Sequence, residues 1–237
     1  MKRIVLLVAF CLGIGQAFAQ DVDALRDAGD AALQAKNYPE ALAKYSEYLK
    51  LNEYKDTVRI YNCAISATQA KNYEEAAKYF DMAVNYGYNL DDSYVGEAQA
   101  YSKLKKTDEF LATTEAGLKA LPGDKDLEKL LYNYCIKEGQ AAKKKGDVAT
   151  ATKMFKSVLL ASNKTYQEGA LYSLGAMIYN QGATGLQKAD ITDAERTQCY
   201  DQLKEAKGYL DQAVAINGKL KANAQKLVDA ITASLPK

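Results

Sequence analysis

KNYEEAAKYFDMAV, Lys71 to Val84, has an earlier copy in KNYPEALAKYSEYL, Lys36 to Leu49. At an offset of 35 residues Asn37 matches Asn72, Tyr38 matches Tyr73, Glu40 matches Glu75, Ala41 matches Ala76 and Tyr45 matches Phe80. Self-similarity at such a period predicts a stack of supersecondary units, each covering its neighbour's apolar face. Within each copy the matched positions recur at i, i+4 and i+7: Ala41, Tyr45 and Tyr48, then Ala76, Phe80 and Ala83. That spacing is one face of an α-helix.

Working outward, the composition agrees with helix. Only three prolines interrupt 237 residues, and no run alternates with the period of two that a strand requires. Met1 to Ala19 reads as an export segment: Lys2 and Arg3, an apolar run from Ile4 to Ile14, then Ala17-Phe18-Ala19 as a cleavage site. The run is short for a membrane span. Cys11 lies inside it behind a bulky Phe10, which departs from a lipid-anchored cysteine. Removing the segment takes away two bases and leaves 29 basic against 30 acidic residues. Near neutrality provides no general field for nucleic acid or anionic lipid.

The wider pattern resembles the tetratricopeptide repeat family, whose unit is a pair of antiparallel helices, A and B. That resemblance implies an all-α fold: a right-handed α-solenoid of about five helix hairpins, with an elongated last repeat and a C-terminal capping helix. The repeats fall at about 22–55, 57–90, 91–124, 132–165 and 168–218, with an insertion at 182–200 and the cap at 219–235. Small residues where A and B cross let the helices approach, and larger ones fill between. The A set is Leu25, Ala28, Gly29 and Ala32 in the first repeat and Ile60, Cys63, Ala64 and Ala67 in the second. Tyr94, Glu97, Ala98 and Tyr101 form it in the third, Cys135, Glu138, Gly139 and Ala142 in the fourth, and Leu171, Leu174, Gly175 and Ile178 in the fifth. In the third repeat Phe110 stands where the family prefers Ala and Thr114 where it prefers an aromatic. In the insertion, Gly182-Ala183-Thr184-Gly185 predicts a loop. Thr192 and Glu195 then form the Thr-x-x-Glu capping-box pattern, starting a helix over roughly 193–216 that projects past the stack. A projecting helix with apolar surface is a candidate docking or homodimer element.

Catalytic constellations are missing from the sequence. With no histidine there is no Ser-His-Asp or Cys-His arrangement and no His-based metal site. Cys63, Cys135 and Cys199 lie far apart, and no Cys-x-x-Cys or phosphate-binding glycine motif occurs. Cys63 and Cys135 read as small core hydrophobes. Asn163-Lys164-Thr165 is a formal glycosylation sequon. The expectation is therefore a non-catalytic scaffold with no cofactor and no metal.

The resemblance implies that A helices line a concave groove for another protein or peptide. It assigns Arg26, Asp27 and Asp30 in the first repeat, Tyr61, Asn62, Ile65 and Gln69 in the second, and Val95, Gln99 and Lys103 in the third. It adds Ile136, Lys137, Gln140 and Lys144 in the fourth, and Tyr172, Tyr179 and Asn180 in the fifth. Tyr, Ile and amides suit an extended peptide, with apolar contacts for affinity and carboxamides for its backbone. The family's carboxylate clamp is not reproduced: Asn62 fits it, whereas Asp30, Asp92 and Gly96 depart from it. Charge is uneven, with a net −3 over Asp21 to Asp30 and +3 over Lys137 to Lys145, which would polarise such a groove. Export places this scaffold in the periplasm or bacterial envelope, where the other reading is a carbohydrate- or peptidoglycan-associated module using tyrosine faces.

Overall fold

The computed structural model describes residues 21–236; the stretch read as an export segment, with Cys11, lies outside them. Every regular element among the described residues is helical. In chain order these are α1 (21–34), α2 (Tyr38–Leu51), α3 (Thr57–Gln69), α4 (Tyr73–Asn85), α5 (Leu90–Leu104) and α6 (Thr107–Ala120). They continue with α7 (Lys125–Lys144), α8 (Val148–Ser157), a short 3-10 turn (Val158–Leu160), α9 (Lys164–Leu186), α10 (Asp193–Ile216) and α11 (Lys221–Ser234). The chain forms two compact units, one ending at Gly117 and the other beginning at Leu118 in the last turn of α6.

The hairpins share one local device. Lys36, Lys71, Lys105 and Gly146 adopt the left-handed conformation with φ of 57°, 60°, 58° and 77°. The next residue then donates its N–H back to the helix just ended: Asn37 to Ala32 at 2.8 Å, Asn72 to Ala67 at 2.9 Å, Lys106 to Tyr101 at 3.0 Å and Asp147 to Ala142 at 3.0 Å. This six-to-one bond closes helix A and turns the chain into helix B. Side chains start the following helices. Asp56, Asn72 and Asp147 accept the N–H of Arg59, Glu75 and Thr150, and Asp124 accepts those of Asp126 and Leu127. The sequon asparagine Asn163 does the same for α9, accepting from Thr165 and Tyr166.

In the first unit the core runs through Ala41, Tyr45, Leu49, Ile60, Cys63, Ala64, Ala67, Ala76, Phe80 and Ala83. Helix pairs close where a large ring meets a residue without a side chain. A Cβ on Gly29 would lie 2.7 Å from the Tyr45 ring. Tyr48, larger than the family's usual Ala, is buried and donates to Asp56 at 3.0 Å. The third hairpin differs from expectation. Tyr94 and Tyr101 are only half-buried, and the covered stripe of α5 includes Ser93, Gly96, Glu97, Ala98 and Ala100. Gly96 is not on an open groove: the Phe80 ring of α4 occupies the space its side chain would need.

In the second unit the core runs through Ala142, Ala151, Phe155, Leu171, Leu174, Ile178, Leu203, Ala206, Leu210, Ala213 and the inner face of α11. The residues from Asp126 to Leu131, which fall between the third and fourth repeats, belong to the first turns of α7, with Leu127 and Leu131 fully buried. The predicted loop at Gly182 to Gly185 is not a loop. It is the continuation of α9, which runs unbroken to Leu186. Its glycines face α10: a Cβ on Gly182 would lie 2.9 Å from the Cys199 carbonyl oxygen, and one on Gly185 would strike the Cys199 sulfur. Glycine serves close helix contact here, not chain reversal. Both helices of this hairpin are therefore lengthened together. α10 does not stand alone past its neighbours, and its apolar residues Cys199, Leu203, Ala206 and Leu210 are buried. The exposed residues at its start, Thr192 to Gln198, are polar except Ala194, so the expected apolar projection is absent. The capping box is present: Thr192 accepts from the Glu195 N–H at 3.2 Å, and Glu195 accepts from the Thr192 N–H at 2.9 Å. Two buried glutamates pin the unit. Glu128 on α7 accepts the N–H of Ser162, and Glu168 on α9 accepts that of Leu220 at the head of α11.

Candidate functional site

The assigned residues divide into those used by the fold and those left at the surface. In the first unit, Arg26 is engaged by Asp23 and Asp27 at 2.9 and 2.8 Å. Asp30 receives hydrogen bonds from Arg59 and from the Tyr45 hydroxyl, the latter at 2.7 Å. Burial alone would raise the Asp30 pKa, but those hydrogen bonds outweigh it and hold the carboxyl below its ordinary range. Part of the acidic surplus over Asp21 to Asp30 is thus neutralised by Arg59, which weakens the expected polarity. Tyr61 is half-buried, edge-on to Phe80 at 5.9 Å and tilted against Tyr88 at 5.8 Å, and its hydroxyl donates to Asp92 at 3.2 Å. Its ring is mainly a packing element. Asn62 is half-buried, and Ile65 leans on the core.

Gln69, Gln99 and Lys103 are the assigned residues that converge. With Thr68, Lys71 and Tyr73 they line a pocket of about 260 Å³ where α3 and α5 lie side by side. The physical reason is register: Gln69 ends α3, Gln99 and Lys103 are one turn apart on α5, and the turn at Lys71 brings Tyr73 into the same lining. Two amides, two ammonium groups and a tyrosine form a small polar recess.

In the second unit, Ile136, Tyr172 and Tyr179 are half-buried against the core. Lys137 and Lys144 are exposed, Lys137 lying 3.8 Å from Glu138, and Gln140 is half-buried. Asn180 alone of the assigned set reaches a cleft of about 550 Å³ between the lengthened α9–α10 hairpin and the α7–α8 turn. Gln181, Thr184, Lys188, Ile191, Gln198 and Gln202 also line it, and the sequence reading assigned none of them. The signal was present. Met177, Gln181, Thr184 and Lys188 follow helical spacing, as do Glu195, Gln198 and Gln202. Reading Gly182 to Gly185 as a loop concealed it.

Among the described residues no group of three or more His, Cys, Asp or Glu could hold a metal ion, and no helix is long and apolar enough to cross a membrane. The Cys63 and Cys135 thiols are each pushed up to about 12 by burial. That removes thiolate character and leaves them as core fillers.

No protein-family model matches the chain, and no curated protein matches it. Among solved structures, it is similar to a TPR repeats protein from Bacteroides fragilis, at 36% identity over 90% of this chain and 99% of that one, with a TM-score of 0.77. It is more remotely similar to YrrB, described as a TPR protein with an unusual peptide-binding site, at 17% identity over 89% of this chain and 98% of that one, with a TM-score of 0.42. The MamA protein matches at 12% identity over 86% and 96% of the two chains, with a TM-score of 0.44.

Proposed function

The chain belongs to the tetratricopeptide repeat family, and from that premise we propose that it is a non-catalytic scaffold of the bacterial cell envelope that binds another protein or peptide through its A-helix surfaces. The observation that carries this reading is the recess formed by Gln69, Gln99 and Lys103 between α3 and α5. Carboxamides present both a donor and an acceptor to a peptide group, and the lysine favours an acidic neighbour. The basic start, apolar run and small-x-small end of Met1 to Ala19 support export. The alternative of sugar stacking needs open ring faces. Tyr61 is packed against two aromatic rings, and the face of Tyr132 is covered by Tyr166 at 4.4 Å, which argues against it.

The test is site-specific photo-crosslinking in intact cells. A benzophenone side chain is placed at Gln69 or Gln99 on A helices, and at Glu47 or Asp81 on exposed faces of B helices. Adducts from the first pair and not the second are expected. Adducts from B-helix positions alone, or none from any position, would remove the reading. Recovery of the mature chain from the cytosol rather than the envelope fraction would remove the assignment to the envelope.

A further inference from the structure

We propose that the cleft between the lengthened α9–α10 hairpin and the α7–α8 turn is a second ligand site, which seats an extended peptide segment carrying an acidic side chain. This rests on the reading of the chain as a binding protein but not on the α3–α5 recess. The wall is built in advance. Gly182 and Gly185 let α10 close directly onto α9, so both helices hold each other through the extension and define the cleft of about 550 Å³. That volume lies within the range of sites that enclose small ligands or short segments.

The lining specifies the chemistry. Four carboxamides face the cleft: Asn180 and Gln181 from α9, Gln198 and Gln202 from α10. Gln198 and Gln202 are one turn apart, so both lie along the same edge. None of the four takes a partner among the described residues. Each can therefore pair with both the N–H and the C=O of an extended backbone. Val148, Met177 and Ile191 supply an apolar wall against which one aliphatic side chain fits. No aromatic ring lines the cleft, which leaves a sugar or base nothing to stack on.

Charge sets the last feature. Glu195 lines the cleft, but its carboxylate already accepts from the Thr192 N–H and hydroxyl at 2.9 and 2.8 Å. Lys143, from α7, makes no ion pair within the described residues, and Lys188 lies near Glu195 on the hairpin side. With Lys143, Lys188 and Glu195 the lining carries a net positive charge, and a carboxylate seated at Lys143 complements it.

The test pans a displayed library of random octapeptides against the whole chain. The enriched peptides are then made with a fluorescent label, and their Kd is measured for the unaltered chain and its variants. Thr184→Trp fills the cleft from an exposed helix position, and Lys143→Glu with Lys188→Glu reverses its charge. Gln69→Ala with Gln99→Ala alters only the other recess. Each variant is first checked for an unchanged unfolding temperature. The expected result is enrichment in Asp or Glu, with Kd raised about tenfold or more by Thr184→Trp and by the lysine reversal. The Gln69 and Gln99 changes should leave it unaltered. Enriched peptides that respond only to Gln69 and Gln99 overturn the cleft and leave the general reading standing. Enrichment with no acidic bias overturns the assigned ligand, and no enrichment at all overturns both readings.

Discussion

Replacing Glu97 with Gln should make the protein more stable at pH 8 and remove most of its pH dependence between pH 5 and 8. Glu97 is buried on α5, where its Oε1 accepts from the Thr113 hydroxyl of α6 at 3.1 Å. Loss of solvent raises its pKa from 4.5 to about 7; the Thr113 hydrogen bond opposes this and the Asp81 charge adds to it. A carboxyl whose folded pKa is raised binds its proton more tightly in the folded state. Its contribution is complete below pH 4.5 and is lost as pH rises towards 7. At 1.36 kcal/mol per pH unit the ceiling is about 3 kcal/mol, and relaxation around the carboxylate brings the expected loss nearer to about 2 kcal/mol. The window is clear because the chain has no histidine. The carboxyls held low, at Asp30, Asp147 and Glu195, lose their contributions only at more acidic pH. Gln keeps the size of the side chain and the acceptor for Thr113, and its new N–H groups can turn towards Asp81. Helical circular dichroism during thermal unfolding at pH 5, 6, 7 and 8 measures the effect. The unaltered chain should lose about 4–8 °C between pH 5 and 8, at roughly 2–4 °C per kcal/mol for a chain of this size, while the variant stays level. Equal slopes for the two proteins would refute the assignment of Glu97 as the titrating group.

Gly182→Ala should lower stability by about 1–3 kcal/mol, because its Cβ meets the backbone of α10 rather than a movable side chain. Gly208→Ala, with nothing within 4 Å, should raise it by about 0.5–1 kcal/mol on helix propensity alone. The two thermal shifts therefore have opposite signs, and equal signs would contradict the close contact of α9 with α10. Thr192→Ala removes a helix start joined by two reciprocal hydrogen bonds and should cost about 1 kcal/mol, read as faster amide exchange in the first turn of α10. Cys63 and Cys135, with thiols pushed up to about 12, should resist iodoacetamide at pH 8 until the chain is unfolded; mass spectrometry of native and denatured samples checks this.

The parts of the fold that were legible in the sequence are those whose cause is local. Lys36-Asn37 and Lys71-Asn72 recur because each hairpin needs a left-handed residue followed by the N–H that closes helix A and leads into helix B. Thr192 and Glu195 signal a helix start because both halves of the capping box lie within one turn. The parts that were not legible depend on partners far along the chain. Gly182 and Gly185 look like loop residues in isolation, since glycine marks turns and close contacts alike, and Cys199 is what decides between them. Tyr61 occupies a groove position by register, but Phe80 and Tyr88 take up much of its ring. Misreading two glycines had a further consequence for the site. A loop there leaves the first turns of α10 unsupported, so Cys199 and Leu203 become a sticky surface suited to a second copy. A helix there buries Cys199 and Leu203 and leaves Asn180, Gln181, Gln198 and Gln202 as the outward chemistry of the extension. The same insertion then changes from an apolar docking element into a polar cleft wall, and the recognition expected of it changes from self-association to peptide binding.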